Sequence, residues 1–239
     1  MSRLRLEGLT CGYGGNAVVS GIDVAVPAGA ALALVGPNGS GKSTLLRTIA
    51  ARLAPLAGRV LVDGDDVARL EPRARARAVS MLMQIQPIDP ALTVEELVGL
   101  GRTPYLERFG RFGPADRRMV ERALEICGLE DDRGRSIGRL SGGERQRARL
   151  AMVLAQDTSL LLLDEPLNHL DLHHRFALHE ILERAQRERA VTVVHVFHSL
   201  EDARRFATAF LLVDDGRVRW FDADEREELM EAIRASARI

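Results

Sequence analysis

The chain lacks the features that mark secreted or membrane-spanning proteins. Its 239 residues include only two cysteines, Cys11 and Cys127, which are too few for a disulfide framework and fit a reducing compartment. No apolar run approaches the roughly 20 residues of a membrane helix, and the amino terminus has no apolar stretch like that of a secretory signal. We therefore expect a globular protein of the cytosol.

An excess of charge is also missing. The 33 basic residues are balanced by 34 acidic ones, which gives a formal net charge of −1. Proteins that bind nucleic acids or anionic lipids usually carry a basic excess, so no nucleic-acid partner is expected. Hydrophobic residues make up 46% and charged residues 28% of the chain, a composition that excludes intrinsic disorder.

Lysine is nearly absent, and its single occurrence points to a site. Lys42 is the one lysine among 33 basic residues. Lysine is a compact point charge whereas arginine is a planar fork, so the lone lysine indicates a position where a guanidinium would not fit. It lies in the stretch GPNGSGKS (residues 36–43), which matches the phosphate-binding pattern G-x-x-x-x-G-K-[ST].

That stretch, called the phosphate loop below, has the flanking elements the pattern requires. A continuous apolar run over 30–35 predicts a buried strand before it, and residues 43–52 predict a helix after it. Glycine lets the backbone approach a phosphate, and the backbone N–H groups then face the anion. In such a loop Lys42 would reach the β- and γ-phosphates of a nucleotide and the Ser43 hydroxyl would bind Mg²⁺.

Apolar patterns along the chain predict an α/β fold. Strand signals at 30–35, 59–62, 79–83, 160–164, 191–197 and 211–220 are interspersed with helical patterns at 115–127, 143–156, 172–189 and 224–237. Strands that alternate with helices indicate a largely parallel sheet. Residues from about 90 to 156 are mainly helical, and a capping box over 93–96 opens the first of these helices. This part is expected to be a helical subdomain inserted between strands.

Two acidic residues follow the apolar run at 160–163. The carboxyl end of a buried strand lies beside the phosphate loop in sheets of this kind. Asp164 is therefore predicted to hold Mg²⁺, and Glu165 to orient and polarise the attacking water. The pair indicates nucleotide hydrolysis without specifying its kind.

The octet LSGGERQR at 140–147 indicates which class of nucleotide hydrolase the chain resembles. Ser141 is a helix N-cap followed by two glycines that expose the backbone, which makes a second anion-binding helix start in the same chain. The octet closely resembles the signature of the ATP-binding-cassette (ABC) ATPases, and the resemblance covers essentially the whole chain. It implies a P-loop NTPase fold with an N-terminal antiparallel β region, a RecA-like parallel core and the inserted helical subdomain.

The resemblance also implies a division of the chain and a mode of assembly. Residues 1–239 would form one nucleotide-binding domain, with a core of 1–84 and 157–239 and a helical subdomain of about 85–156. Two copies would bind ATP head to tail, so that the phosphate loop of one copy faces the signature of the other.

Four further positions match family motifs. Tyr13 resembles the aromatic residue that stacks on adenine, and Gln84 the glutamine of the Q-loop, although Gln86 competes for that role. Asn168-His169-Leu170-Asp171 resembles the D-loop. His198 resembles the switch histidine that contacts the γ-phosphate, with His195 as its competitor.

Two positions depart from the family pattern. Leu167 stands where D-E-P-T has threonine, and Ser199 where H-D-L has aspartate. Neither contributes to the chemistry as interpreted here, so activity should survive.

These assignments predict a complete set of site residues. The catalytic residues are Glu165 and His198. The residues that bind ATP in the same copy are Tyr13, Gly36, Pro37, Asn38, Gly39, Ser40, Gly41, Lys42, Ser43 and Thr44. The residues that contact ATP of the other copy are Ser141, Gly142, Gly143, Glu144 and Gln146, and the D-loop residue is Asp171. The Mg²⁺ ligands are Ser43, Gln84 and Asp164.

The histidines and one arginine run allow other interpretations, which we rank below structural ones. His169, His173, His174 and His179 could suggest a metal site, but no cysteine or third ligand at a suitable spacing accompanies them. The run RARAR at 73–77 could suggest nucleic acid, yet is more typical of a solvated helix face.

A subgroup is indicated by the helical part. The pattern T-V-x-E-x-V-x-x-G-R-x-P at 93–104, with D-E-P-x-N-H-L-D at 164–171, resembles the bacterial importers of iron-siderophores, haem and cobalamin. The resemblance implies a homodimer on the cytoplasmic face of the inner membrane. There it would serve separate permease subunits and, through them, a periplasmic or lipoprotein substrate-binding protein. An importer of zinc, manganese or molybdate, a non-transport ABC clamp and a phosphotransferase are the alternatives.

Overall fold

A computed structural model describes residues 2–84, 87–106, 111–167, 170–197 and 199–236. In chain order the strands are β1 (Ser2–Tyr13), β2 (Asn16–Pro27), β3 (Ala31–Val35), β4 (Ala57–Val62), β5 (Asp65–Asp66), β6 (Val79–Leu82), β7 (Leu160–Asp164), β8 (Thr192–Val196), β9 (Ala209–Asp214) and β10 (Arg217–Asp222). The α-helices are α1 (Lys42–Ile49), α2 (Pro72–Ala78), α3 (Val94–Gly99), α4 (Pro114–Cys127), α5 (Gly142–Ala155), α6 (Leu172–Arg189), α7 (Leu200–Phe206) and α8 (Arg226–Ser236). Short 3₁₀ helices cover Leu100–Tyr105 and Ile137–Arg139.

Within the described residues the strands form two sheets. The first is antiparallel with the order β2-β1-β4-β5, and the second has the order β10-β9-β3-β8-β7-β6. Strands β9, β3, β8, β7 and β6 run parallel, as predicted for an α/β core, and β10 is an antiparallel edge strand. The fold class expected from the sequence is confirmed.

The strand signal at 211–220 corresponds to two strands. This stretch is a hairpin in which β9 and β10 pair antiparallel, with Val213 opposite Val218. The turn is formed by Asp215 and Gly216, whose φ angles are +44° and +72°. An Asp-Gly pair with positive φ at both residues is the preferred two-residue hairpin turn, so the signal was present in the sequence.

The second sheet buries both faces, and strand alternation decides which residue faces which side. Leu161 and Leu163 of β7 pack toward the helical part of the chain. Leu160 and Leu162 pack toward α1 and the antiparallel sheet. Because successive strand residues point to opposite faces, Asp164 at the end of β7 falls on the α1 side.

The helical stretch between β6 and β7 begins as predicted. Thr93 is the N-cap of α3: its hydroxyl accepts from the Glu96 N–H at 3.2 Å, and the Glu96 carboxylate accepts from the Thr93 N–H at 2.8 Å. This is the expected capping box. Helices α3, α4 and α5 pack on one another, and α5 also packs against β6. Helix α2, which carries the RARAR run, buries none of its residues, as a solvated face requires.

The G-R-x-P-Y segment that follows α3 has a structural role. The Arg102 side chain is buried and donates to the Asp116 carboxylate at 3.0 Å and to the Ala155 carbonyl at 2.8 Å. The Tyr105 ring lies 3.7 Å from its guanidinium carbon. At Gly101 a side chain would overlap the carbonyl oxygen of Met152. These contacts therefore hold the 3₁₀ helix, which contains this segment, against α4 and α5.

Replacing Arg102 by methionine should destabilise the protein. Asp116 would be left largely buried without its cation, a loss that typically costs about 3–5 kcal/mol of unfolding free energy. Arg133→Met is the matched control, because the Arg133–Glu95 pair is about half exposed on both sides, and such pairs contribute about 0–1 kcal/mol. Urea unfolding of both variants measures the difference, and equal losses would contradict the assignment of Arg102.

Among the described residues, no helix combines the length and the apolar character needed to cross a membrane.

Candidate nucleotide site

The phosphate loop lies between the end of β3 and the start of α1. Gly36, Gly39 and Gly41 have φ angles of +141°, +81° and +105°, in the region that side chains disfavour. A Cβ atom on Gly36 would overlap the carbonyl oxygen of Val213, and one on Gly41 would lie 2.6 Å from a methyl group of Val19. Backbone conformation therefore favours glycine at all three positions, and lack of space also requires it at Gly36 and Gly41.

Lys42 is the first residue of α1 and is only 5% exposed. Its ammonium donates to the carbonyl oxygens of Gly36 at 2.9 Å and Pro37 at 2.7 Å, so it lies inside the curve of the loop. Burial lowers the pKa of this ammonium below its usual value, while the charges of Glu165 and Asp164 oppose that effect. The predicted lysine is therefore at the loop, beside both predicted carboxylates.

Ser43 and Asp164 meet across the space between α1 and β7. The Ser43 hydroxyl donates to the Asp164 carboxylate at 2.9 Å, and Asp164 is 4% exposed. A hydroxyl and a carboxylate are oxygen ligands of the kind that Mg²⁺ prefers. The structure thus brings together two of the three predicted Mg²⁺ ligands, which come from positions 121 residues apart.

Glu165 does not continue the strand. Its φ angle is +54°, a left-handed conformation that costs a non-glycine residue about 1–3 kcal/mol. The chain turns at this point, immediately after Asp164. The two adjacent carboxylates therefore need not follow strand alternation, which allows them different roles at the same sheet edge.

The predicted Q-loop residue lies at the same edge. Leu82 of β6 is in register with Leu163 of β7, so the segments that follow these two parallel strands begin side by side. Gln84 is exposed and lies two residues beyond Leu82. Its competitor Gln86 lies outside the described residues. The side chain of Gln84 as an Mg²⁺ ligand stays a prediction.

Tyr13 ends β1 and lies beside α1. Its side chain is 47% exposed, and its hydroxyl accepts from the Arg47 guanidinium at 3.3 Å. Hydrogen bonds from Thr44 and Arg47 lower the pKa of the Tyr13 hydroxyl below its usual value. The hydrogen bond to Arg47 thus holds the ring beside the helix that begins with Lys42 and Ser43. Stacking of this ring on adenine stays a prediction.

The signature begins α5 with a complete capping box. Ser141 accepts from the Glu144 N–H at 3.2 Å, and the Glu144 carboxylate accepts from the Ser141 N–H at 2.8 Å. Hydrogen bonds from the Ser141 N–H and hydroxyl to its carboxylate hold the pKa of Glu144 below its usual value. Gly142 is exposed, whereas a side chain on Gly143 would overlap the imidazole of His174. Gly143 thus leaves room for the His174 ring of α6 in the same chain.

Gln146 is engaged within its own chain. Its amide nitrogen donates to the Pro166 carbonyl at 2.9 Å, and its amide oxygen accepts from Arg149 at 3.1 Å. The predicted contact of Gln146 with ATP of a second copy stays a prediction, and the side chain has a clear role in joining α5 to the segment after Glu165.

Asp171, from the predicted D-loop, is the N-cap of α6. Its carboxylate accepts from the His174 N–H at 2.9 Å and contacts His174 Nδ1 at 2.7 Å, and hydrogen bonds from His174 lower its pKa. Asn168 and His169 lie outside the described residues.

Of the two candidate switch histidines, the structure describes one. His195 is fully buried, stacks on Phe197 with ring centroids 3.6 Å apart, and has no hydrogen-bond partner among the described residues. Burial lowers its pKa well below the usual value, so the ring is neutral. Such a side chain does not contact a phosphate. His198 lies outside the described residues, and its role stays a prediction.

Two of the other histidines make contacts with neighbouring side chains. His179 is buried against Phe197 and Phe206, and His174 is bonded to Asp171. Across the described residues, no three or more His, Cys, Asp or Glu side chains are grouped as a metal site would require.

Sequence reasoning missed Arg149. This arginine on α5 donates to the Met83 carbonyl at 2.7 Å and lies 3.5 Å from the Gln84 carbonyl oxygen. It is one helical turn beyond Gln146, but no local pattern connects it with a segment 66 residues earlier.

The chain is similar to proteins of a known family. Residues 19–168 match the family model described as "ABC transporter". The chain is 39% identical over 218 residues to the ferric enterobactin transport ATP-binding protein FepC of Escherichia coli, which covers 91% of this chain and 80% of that protein. It is also 39% identical over 218 residues to the iron(3+)-hydroxamate import ATP-binding protein FhuC of Bacillus subtilis, covering 91% and 81%.

A solved structure supports the likeness. It is a dimeric ATP-binding cassette in a post-hydrolysis state with bound ADP and phosphate, 27% identical in sequence. The TM-score is 0.78, with 92% of this chain and 98% of the other covered.

Proposed function

The chain belongs to the ABC transporter family and is an ATP-binding, ATP-hydrolysing protein, and from this premise we propose that it powers an importer of ferric siderophores or cobalamin. In this role it would work as a homodimer bound to membrane permease subunits. Residues 1–84 and 157–239 would form the nucleotide-binding core. Residues 85–156 would form the helical subdomain that contacts the permease.

The catalytic logic is electrostatic. Lys42 and the backbone N–H groups of the phosphate loop would bind the β- and γ-phosphates, and Tyr13 would stack on the adenine. Mg²⁺, held by Ser43, Asp164 and Gln84, would offset the charge that develops on the transferred phosphoryl group. Glu165 would accept a proton from the attacking water while His198 contacts the γ-phosphate. No nucleic acid takes part.

Assembly of two copies follows from the position of the signature. The capping box at the start of α5 uses the N–H groups of Ser141 and Glu144, and it leaves those of Gly142 and Gly143, at the positive end of the helix dipole, for an anion. This start would bind the γ-phosphate held by the partner copy, so neither copy has a complete site alone. The post-hydrolysis cassette to which this chain is similar is a dimer with ADP and phosphate, which supports the arrangement.

The observation that carries the importer assignment is the 39% identity with two iron-siderophore ATP-binding proteins over 91% of the chain. It agrees with the sequence pattern at 93–104, in which Arg102 donates hydrogen bonds to α4 and α5. Haem, the third substrate class expected from that pattern, stays a prediction. Metal-ion and molybdate import and a non-transport clamp are less favoured, because these two relatives carry iron-siderophore names.

Localisation follows from the partners. The chain would sit at the cytoplasmic face of the inner membrane through the permease, and a substrate-binding protein would deliver the cargo from the other side.

Deletion of the gene tests the cargo. The mutant strain should lose growth when a ferric siderophore, or cobalamin, is the sole source of iron or cobalamin, because the permease would lack its ATPase. A plasmid with the wild-type gene should restore growth, and one with Glu165→Gln should not. Both strains should grow equally well when iron is supplied as ferrous salts. They should also grow equally well in a medium that removes the need for cobalamin.

Growth that is unaffected on every siderophore tested and on cobalamin would contradict the proposal. The purified chain should hydrolyse ATP at a rate independent of ferric siderophore, haem or cobalamin, since cargo is recognised by other subunits. A rate that rises with the free cargo would contradict that division of labour.

A further inference from the structure

Helix α5 touches the nucleotide site at two places through neighbouring side chains. Gln146 donates to the Pro166 carbonyl, one residue after Glu165, at 2.9 Å. Arg149 donates to the Met83 carbonyl, one residue before Gln84, at 2.7 Å. The two side chains are themselves joined by a hydrogen bond of 3.1 Å from Arg149 to the Gln146 amide oxygen. A continuous set of polar contacts thus connects the segment of Gln84 with the turn of Glu165.

Burying the charged side chain of Arg149 at this position carries a desolvation cost. Its guanidinium is partly buried, its Nε has no hydrogen-bond acceptor among the described residues, and burial lowers its pKa below the usual value. A buried charge needs compensation, which here comes from main-chain carbonyls and the Gln146 amide. A methionine or leucine would fill similar volume at lower cost, so packing alone does not explain an arginine.

The place where Gln146 attaches also matters. Glu165 adopts a left-handed backbone conformation, and such a conformation persists only where surrounding contacts hold it. The hydrogen bond to Pro166 is one of those contacts. A change at the Met83–Gln84 segment therefore has a short route to the backbone that carries the carboxylate.

We propose that Arg149 is a positioning residue for ATP hydrolysis: through Gln146 it ties the main chain at Met83–Gln84 to the turn that holds Glu165. Movement of the Q-loop segment and placement of the carboxylate then change together. The proposal rests on the role given above to Glu165, which acts on the water, whereas Arg149 acts only through its neighbours.

Arg149→Met tests this role by removing the donors and keeping the length. We expect kcat for ATP to fall about 10-fold while KM for ATP stays within about 2-fold, because misplacement of a catalytic group affects the chemical step more than binding. Arg149→Lys should recover part of the loss, since an ammonium can reach one carbonyl but not the amide as well.

Arg189→Met is the matched control. Arg189 is likewise partly buried with a lowered pKa, donates to the Leu154 carbonyl of α5 at 3.0 Å and pairs with Asp157. It precedes β8 and therefore lies near the amino-terminal ends of the parallel strands, whereas the nucleotide site lies at their carboxyl ends. We expect Arg189→Met to lower Tm but to leave kcat at the wild-type value, when both are assayed well below Tm. If Arg149→Met also changes only Tm, its role is structural and the proposal is wrong.

A double mutant separates one connected path from two independent contacts. If Gln146 and Arg149 act together, Gln146→Leu combined with Arg149→Met should lower kcat no more than the more harmful single change. Losses that multiply would contradict the connection.

The Glu165→Gln variant distinguishes failure of this inference from failure of the role given to Glu165. A wild-type rate for Glu165→Gln would overturn the role of the carboxylate itself, whereas an inactive Glu165→Gln with a fully active Arg149→Met would overturn this inference alone.

Discussion

Replacing Glu165 by glutamine should lower ATP turnover about 10²–10⁴-fold, the range expected for loss of a general base. Glutamine keeps the size and the hydrogen-bonding capacity of the side chain but cannot accept a proton. ATP affinity should stay nearly unchanged, because Lys42 and the phosphate loop are untouched. An ATP-bound dimer should therefore accumulate, and size-exclusion chromatography with ATP and Mg²⁺ should show it.

Two companion variants give this result its meaning. Asp164→Asn should weaken Mg²⁺-dependent nucleotide binding itself, because the Asp164 carboxylate faces Ser43 at 2.9 Å. Glu180→Gln removes an exposed carboxylate of α6 and should behave like wild type. If Glu165→Gln remains monomeric at saturating ATP, or hydrolyses it at the wild-type rate, the head-to-tail mechanism is wrong for this chain.

Exchanging Lys42 for arginine should reduce kcat/KM for ATP about 10²-fold although the charge is kept. Lys42 as a whole is 5% exposed, and its ammonium lies between two loop carbonyls at 2.7 and 2.9 Å. A planar guanidinium does not fit that space and would displace the loop or the phosphates. Steady-state kinetics and a nucleotide-binding titration measure the effect.

The control for this exchange runs in the opposite direction. Arg5→Lys alters an exposed arginine of β1 that pairs with Glu7 and should leave kinetics unchanged. Near-normal kcat and KM for Lys42→Arg would refute the interpretation of the lone lysine as a residue selected for its shape.

Much of the site follows from local sequence. The phosphate loop is predicted by its glycine spacing and by the strand and helix around it, and the structure places these elements as expected. Strand alternation in β7 is enough to direct Asp164 toward α1, where Ser43 lies. The N-caps at Thr93 and Ser141 are also local features, since each depends on residues three positions apart.

Other parts depend on contacts that no local pattern records. The left-handed backbone at Glu165 cannot be expected from a glutamate, which disfavours it, and is imposed by the fold. The G-R-x-P-Y segment indicates a subgroup by resemblance, but its physical role depends on Asp116 and Ala155. Arg149 reaches a segment 66 residues away. These are features of tertiary structure, and the sequence alone did not identify them.

The burial of Lys42 beneath the phosphate loop has a consequence for covalent chemistry. With 32 arginines and one lysine, the chain has a single side-chain primary amine. The residue that carries it is 5% exposed, and the amine donates to two carbonyls. Acylation, glycation and other electrophilic attack on lysine therefore find one target, and its modification would inactivate nucleotide binding. The same burial that holds the ammonium inside the phosphate loop also shields the residue from reagents in bulk solvent.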